Sequence, residues 1–98
     1  MQVGYRTSQL ETVCTDARAA SRQYGDVMAR KIHLRIKQME MSENVVAMIR
    51  MRLGRCHPLA GNRAGQYAMD LAHPYRLVFA VSGGHLEIAE IQEIVDYH

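Results

Sequence analysis

Residues 55–79 read RCHPLAGNRAGQYAMDLAHPYRLVF, and the fold turns on how this stretch divides. It holds both prolines of the chain, Pro58 and Pro74, and the turn-forming pairs Gly61-Asn62 and Ala64-Gly65. Between the turns the pattern alternates with period two. Over residues 66–71, Tyr67, Met69 and Leu71 fall on one side, and Gln66, Ala68 and Asp70 on the other. Over residues 75–81, Tyr75, Leu77, Phe79 and Val81 share one face. Arg76, Val78 and Ala80 share the opposite one. His73-Pro74 forces an extended or turn geometry between the two runs. The stretch therefore reads as a loop carrying His57, followed by two strands.

Downstream, Ser82-Gly83-Gly84 is tight-turn chemistry. Residues 86–95 form a third strand whose alternation slips near Ala89-Glu90, which predicts a bulge. Three strands joined by short connections make an antiparallel meander. Upstream, Val3 and Tyr5 alternate in a short first strand. Ser8 and Glu11 have capping-box spacing, so a helix begins at Ser8, with Leu10, Val13 and Cys14 on one face. Asp16 restarts or continues it to Tyr24, Gly25 stops it, and Asp26 caps the next helix.

Residues 27–41 carry the clearest helical period. Met28, Ile32, Ile36 and Met39 make the apolar stripe, and Arg30, Lys31, Arg35 and Lys37 occupy other faces. Ser42 can cap a short helix over residues 43–51. Val46 and Ile49 would face inward there, with Arg50 and Arg52 near its C-terminal end, where cations suit the helix dipole. The expected architecture is a single α+β domain, residues 1–98. Two to three N-terminal helices pack on one face of a small antiparallel sheet, in the order βααβββ.

Ninety-eight residues support one core, and 48% hydrophobic content without low-complexity runs marks a globular chain. No run reaches the roughly 18 apolar residues a membrane helix needs, and no basic-then-apolar leader opens the chain. The expectation is a cytoplasmic protein without membrane contact. Cys14 and Cys56 lack CxxC spacing and read as free thiols. The net charge of +2 is unevenly spread. Residues 1–55 carry ten Lys/Arg against five Asp/Glu, and residues 56–98 carry two against five, or +5 and −3. A basic helical half fits a polyanion partner as well as an ordinary solvated helix surface.

Arg76 is the most informative side chain. A charge in the middle of an apolar strand is costly unless paired. Either it joins a structural ion pair with Asp70, Glu90 or Glu93, or it is held on rigid backbone to clamp a phosphate. His57 precedes a proline in a loop. Asp96, Tyr97 and His98 follow a strong strand, so an acid, an aromatic and an imidazole come to one sheet edge. No Cys/His spacing matches a metal site, no GxxxxGK[ST] loop is present, and no serine lies in a nucleophile motif. The residues call for no cofactor and no metal.

With HPLAGNRAGQYAMDLAHPYRLVF and the ending EIVDYH in view, the chain resembles the HigB-type toxins of the RelE/ParE superfamily, the plasmid maintenance killer proteins. The resemblance implies a RelE/ParE-like fold. It also implies a bacterial type II toxin–antitoxin toxin: a metal-independent endoribonuclease that cuts mRNA on the 70S ribosome. Its implied partner is a helix-turn-helix antitoxin of the HigA type, through which alone it would reach operator DNA. By position, His57, Arg76, Asp96, Tyr97 and His98 match the catalytic set. The basic residues Arg30, Lys31, Arg35, Lys37, Arg50, Arg52, Arg55 and Arg63 would then contact RNA phosphates. Members often carry a lysine three residues after the loop histidine. Here that position is Ala60, which leaves Arg63 or Arg55 to supply the cation. Two rival readings use the same fold without catalysis: a gyrase-inhibiting toxin, and an inactive antitoxin-binding module.

Overall fold

The structure is a computed structural model and describes residues 1–97; His98 lies outside the described residues. The chain runs β1 (Gln2–Tyr5), α1 (Ser8–Thr15), α2 (Ala17–Tyr24), α3 (Asp26–Met41), α4 (Val45–Arg50), β2 (His57–Pro58), β3 (Gln66–Asp70), β4 (Tyr75–Ser82) and β5 (Ile88–Asp96). The strands form one sheet in the order β1-β5-β4-β3-β2. The meander β3-β4-β5 is antiparallel, and β2 extends it on one side. The exception to the antiparallel expectation is β1, which pairs parallel to β5. A parallel neighbour needs a crossover, and the helices supply it.

The helices form where caps and stripes coincide. Thr7, one residue before the expected Ser8, caps α1 by accepting from the Leu10 amide at 3.1 Å. Asp16 ends α1 and caps α2, accepting from the amides of Arg18 and Ala19. Gly25 takes φ +88° between α2 and α3, which suits a residue without a Cβ. Asn44, rather than Ser42, caps α4 by accepting from the Ala47 amide at 2.8 Å. That shift in phase buries Val45 and Met48 and leaves the expected inward residue Val46 51% exposed.

The core lies between the helices and one face of the sheet. Ile32, Ile36 and Met39 of α3 meet Met69, Leu77, Phe79 and Ile91 of the strands. The bulge sits at Gln92, where Val78 pairs Glu93 but Phe79 pairs Ile91. Two more fully buried residues, Ala68 and Val78, belong to the opposite face and stand outside this core. Arg63 covers them. Its side chain reaches from Gln66 on β3 to Glu93 on β5, across β4, with bonds of 2.9 and 3.0 Å.

Candidate functional site

The predicted site residues His57 and Arg76 lie on the sheet face away from the helices. His57, Ala68, Val78 and Glu93 form one row across β2, β3, β4 and β5, and Asp70, Arg76 and Val95 form the next. His57 and Arg76 therefore share a face, two strands and one row apart. By strand spacing their Cα atoms are roughly 12 Å apart, within reach of the two side chains.

The loop before β2 orients His57. Arg52, Gly54 and Arg55 all take left-handed backbone, with φ of 55°, 57° and 52°. Two non-glycine residues in that region are costly, and such outliers cluster at functional positions. The geometry turns the Arg55 carbonyl toward the imidazole, and His57 Nδ1 lies 2.8 Å from that oxygen. A carbonyl only accepts, so Nδ1 carries the proton. With Nδ1 so engaged, Nε2 is the ring nitrogen left to take a proton, the position a general base requires.

Arg76 stands over Tyr97, its Cζ 4.7 Å from the ring centroid. Its Nε lies 3.4 Å from Asp70 Oδ1, and its side chain is 30% exposed on the open face. Of the three anionic partners the sequence allows, register selects Asp70, which pairs directly with Arg76. Asp70 also accepts from Arg55 Nε through Oδ2. That hydrogen bond and the carboxylate charge push the Arg55 guanidinium further up. Tyr97 follows β5, its amide donating to the Pro74 carbonyl at 3.1 Å. Asp96 ends β5 opposite Tyr75. Of the predicted triplet, Tyr97 reaches the site. Asp96, paired with Tyr75, falls by strand alternation on the helix-side face and not on that of Arg76, because Tyr75 and Arg76 are adjacent in β4. His98 is outside the described residues. A small cleft of about 90 Å³, lined by Arg55, Asp70, His73, Pro74, Arg76 and Tyr97 among others, opens between them. A larger groove of about 290 Å³ lies elsewhere, between α1, α2 and β5 beside Leu10, Tyr24 and Ile94.

The basic residues divide. Arg55 belongs to the site. Arg63 lies on the open face but is engaged by Gln66 and Glu93. Arg50 and Arg52 are exposed where α4 ends. Arg30 and Lys37 are exposed and Lys31 half-buried on α3, on the helical side of the sheet and not beside His57 and Arg76. Arg35 corrects the expectation of a basic outer face: it is only 9% exposed. Its Nε donates to the Asp70 carbonyl at 2.7 Å and its Nη1 to Gln38 Oε1 at 3.0 Å. Burial lowers its pKa, and the charge of Asp70 opposes that shift. A guanidinium so engaged is a strut, not a surface for RNA.

Sequence reasoning missed two features: the Arg55 carbonyl behind His57, and Asp70 as a hub for three arginines. Counting outward from the turn at Ala72-His73-Pro74 pairs Asp70 with Arg76, and that signal was readable. Among the described residues, no group of three His, Cys, Asp or Glu side chains could hold a metal ion. Among the described residues, no helix is long and apolar enough to cross a membrane.

Neither protein-family models nor curated proteins give a match to the chain. Among solved structures it is similar to a YoeB/ParE toxin from Agrobacterium tumefaciens, at 17% identity and a TM-score of 0.61, with all of both chains covered. Together with the five-stranded sheet and the helices on its one face, this likeness shows that the chain is built on the RelE/ParE/YoeB toxin fold.

Proposed function

We propose that the chain is the toxin of a bacterial type II toxin–antitoxin pair and an endoribonuclease that cleaves mRNA on the translating ribosome. A helix-turn-helix antitoxin of the HigA type would neutralise it. The observation that carries the reading is His57, with its Nδ1 proton held by the Arg55 carbonyl, on the same open face as Arg76 and Tyr97.

RNA supplies its own nucleophile. His57 Nε2 takes the 2′-hydroxyl proton, and the 2′-oxygen bonds to phosphorus. The bond to the 5′-oxygen breaks, and an acid returns a proton to that oxygen. The products are a 2′,3′-cyclic phosphate and a 5′-hydroxyl. Arg76 holds the phosphate as negative charge builds on it. Tyr97 offers a ring for a splayed base to stack on. The acid role falls to the terminal triplet, with His98 carried over from the family resemblance.

The test is mRNA cleavage in a translating extract. Arg76→Ala should reduce cleavage about 10²–10³-fold, the cost of losing one preorganised donor. His57→Asn retains an amide that can donate to the Arg55 carbonyl but removes the base. It should cost about 10²–10⁴-fold while the protein stays folded. Toxicity undiminished in both variants would remove the nuclease reading. DNA breaks traceable to gyrase in place of mRNA fragments would select the gyrase-directed alternative.

A further inference from the structure

Asp70 sits between two guanidiniums of the candidate site. Its two carboxylate oxygens take one arginine each, Oδ2 from Arg55 and Oδ1 from Arg76. Its main-chain carbonyl is held separately by Arg35 at 2.7 Å, so the backbone beneath the carboxylate is fixed. The Arg76 contact, 3.4 Å, is longer than the roughly 2.7–2.9 Å of a strong charge-assisted hydrogen bond. The Arg55 side chain is 73% exposed, and exposed ion pairs are weak and easily exchanged. Carboxylate and phosphate offer a guanidinium the same pair of oxygens. The cleft beside the carboxylate is bordered by both arginines and by Tyr97.

We propose that Asp70 is a built-in stand-in for the substrate: it holds the Arg55 and Arg76 guanidiniums side by side, and an RNA phosphodiester takes the place of its carboxylate on binding. The inference rests on the nuclease reading and adds two things to it. Arg55 becomes a second phosphate contact, the cation that Ala60 does not supply. Asp70 becomes a positioning residue that spaces the two guanidiniums and weakens the site for stray anions. Its formal charge reduces the +2 of the arginine pair to +1, so an incoming phosphate must compete with a tethered anion.

The test is binding of a single-stranded RNA oligonucleotide with 2′-O-methyl sugars, which cannot attack its own phosphate. Binding is measured across a salt series for the full chain, Asp70→Asn and Asp70→Ser. Both substitutions keep the main-chain carbonyl that Arg35 holds, and thermal melts confirm that the variants are folded. The neutral variants should bind roughly two- to fivefold tighter at low salt, the range of one exposed charge pair. Their log–log salt slope should steepen by about 0.7, the increment for one phosphate on a single strand. Adding Arg55→Gln to Asp70→Asn should abolish that gain. Should the parent bind and both variants bind equally well or more weakly with an unchanged slope, Asp70 is only a structural ion pair and the nuclease reading stands. Should none of the proteins bind the oligonucleotide, the exchange falls, while the nuclease reading, which places cleavage on the ribosome, is decided by the translating extract.

Discussion

At the scale of single residues, the site depends on one side chain without a Cβ. Gly54 has φ +57°, and a Cβ there would lie 2.6 Å from Arg35 Nε. Gly54→Ala thus meets two penalties. Left-handed backbone costs an L-residue about 1–2 kcal/mol. The methyl would also displace the guanidinium that holds the Asp70 carbonyl. A loss of at least about 1–2 kcal/mol should lower the melting temperature by roughly 4–16 °C in a domain of this size. Because Arg35 fixes the backbone of Asp70, the proposed mRNA cleavage should fall as well, and a melt with a cleavage assay checks both. His57 and Arg76 were legible in the sequence because each breaks a pattern, an imidazole before proline and a charge inside an apolar strand. Arg35 was not. It lies beside Ile36 and reads as another exposed cation of a helix. Only the long-range approach of residues 54 and 70 shows why it is buried.

At the scale of elements, boundaries were readable to within one or two residues, because caps and glycines announce themselves in the chain. The errors came where two candidates compete. Ser42 and Asn44 are both good N-caps, and the choice between them rotates the short helix, exchanging Val46 for Val45 in the core. The bulge was expected near Ala89-Glu90 and sits at Gln92, because either break in the alternation returns hydrophobic residues to the covered face. The parallel pairing of β1 with β5 was not readable, since a four-residue strand carries no sign of its partner. The α4 cap is testable. Asn44→Ala removes the acceptor for the Ala47 amide and should cost about 1 kcal/mol, a typical N-cap loss. The midpoint of urea unfolding should fall with its slope unchanged. An unchanged midpoint would mean that α4 is held without the cap, by burial of Val45 and Met48 and by the Val45 amide donating to Glu87 at 2.9 Å.

At the scale of the whole molecule, the layered α+β plan was legible because each helix and strand shows one apolar face, and those faces can be buried only against each other. The core that results carries both cysteines as buried free thiols. Burial pushes Cys14 from 9.0 up to about 12 and Cys56 from 9.0 up to about 11. Neither is therefore poised as a nucleophile, since the thiolate is the reactive form. The same shifts set an alkaline limit on the fold. Between pH 9 and 11 the unfolded chain releases both thiol protons while the native chain keeps them. The unfolded state then binds fewer protons, so stability must fall as pH rises. Each thiol contributes up to about 1.4 kcal/mol per pH unit, so the pair approaches about 2.7 kcal/mol per unit. Below pH 9 both states hold the protons and the effect vanishes. Tyr5, raised by burial and then by nearby Cys14, Glu40 and Glu11 from 10.0 to about 12, steepens the fall above pH 10. Urea unfolding at pH 8, 9, 10 and 11 measures the slope, and Cys14→Ala should reduce it by about one proton while also lowering stability at every pH. A Cys14→Ala profile parallel to that of the parent would show that this thiol is not the group linking alkaline pH to unfolding.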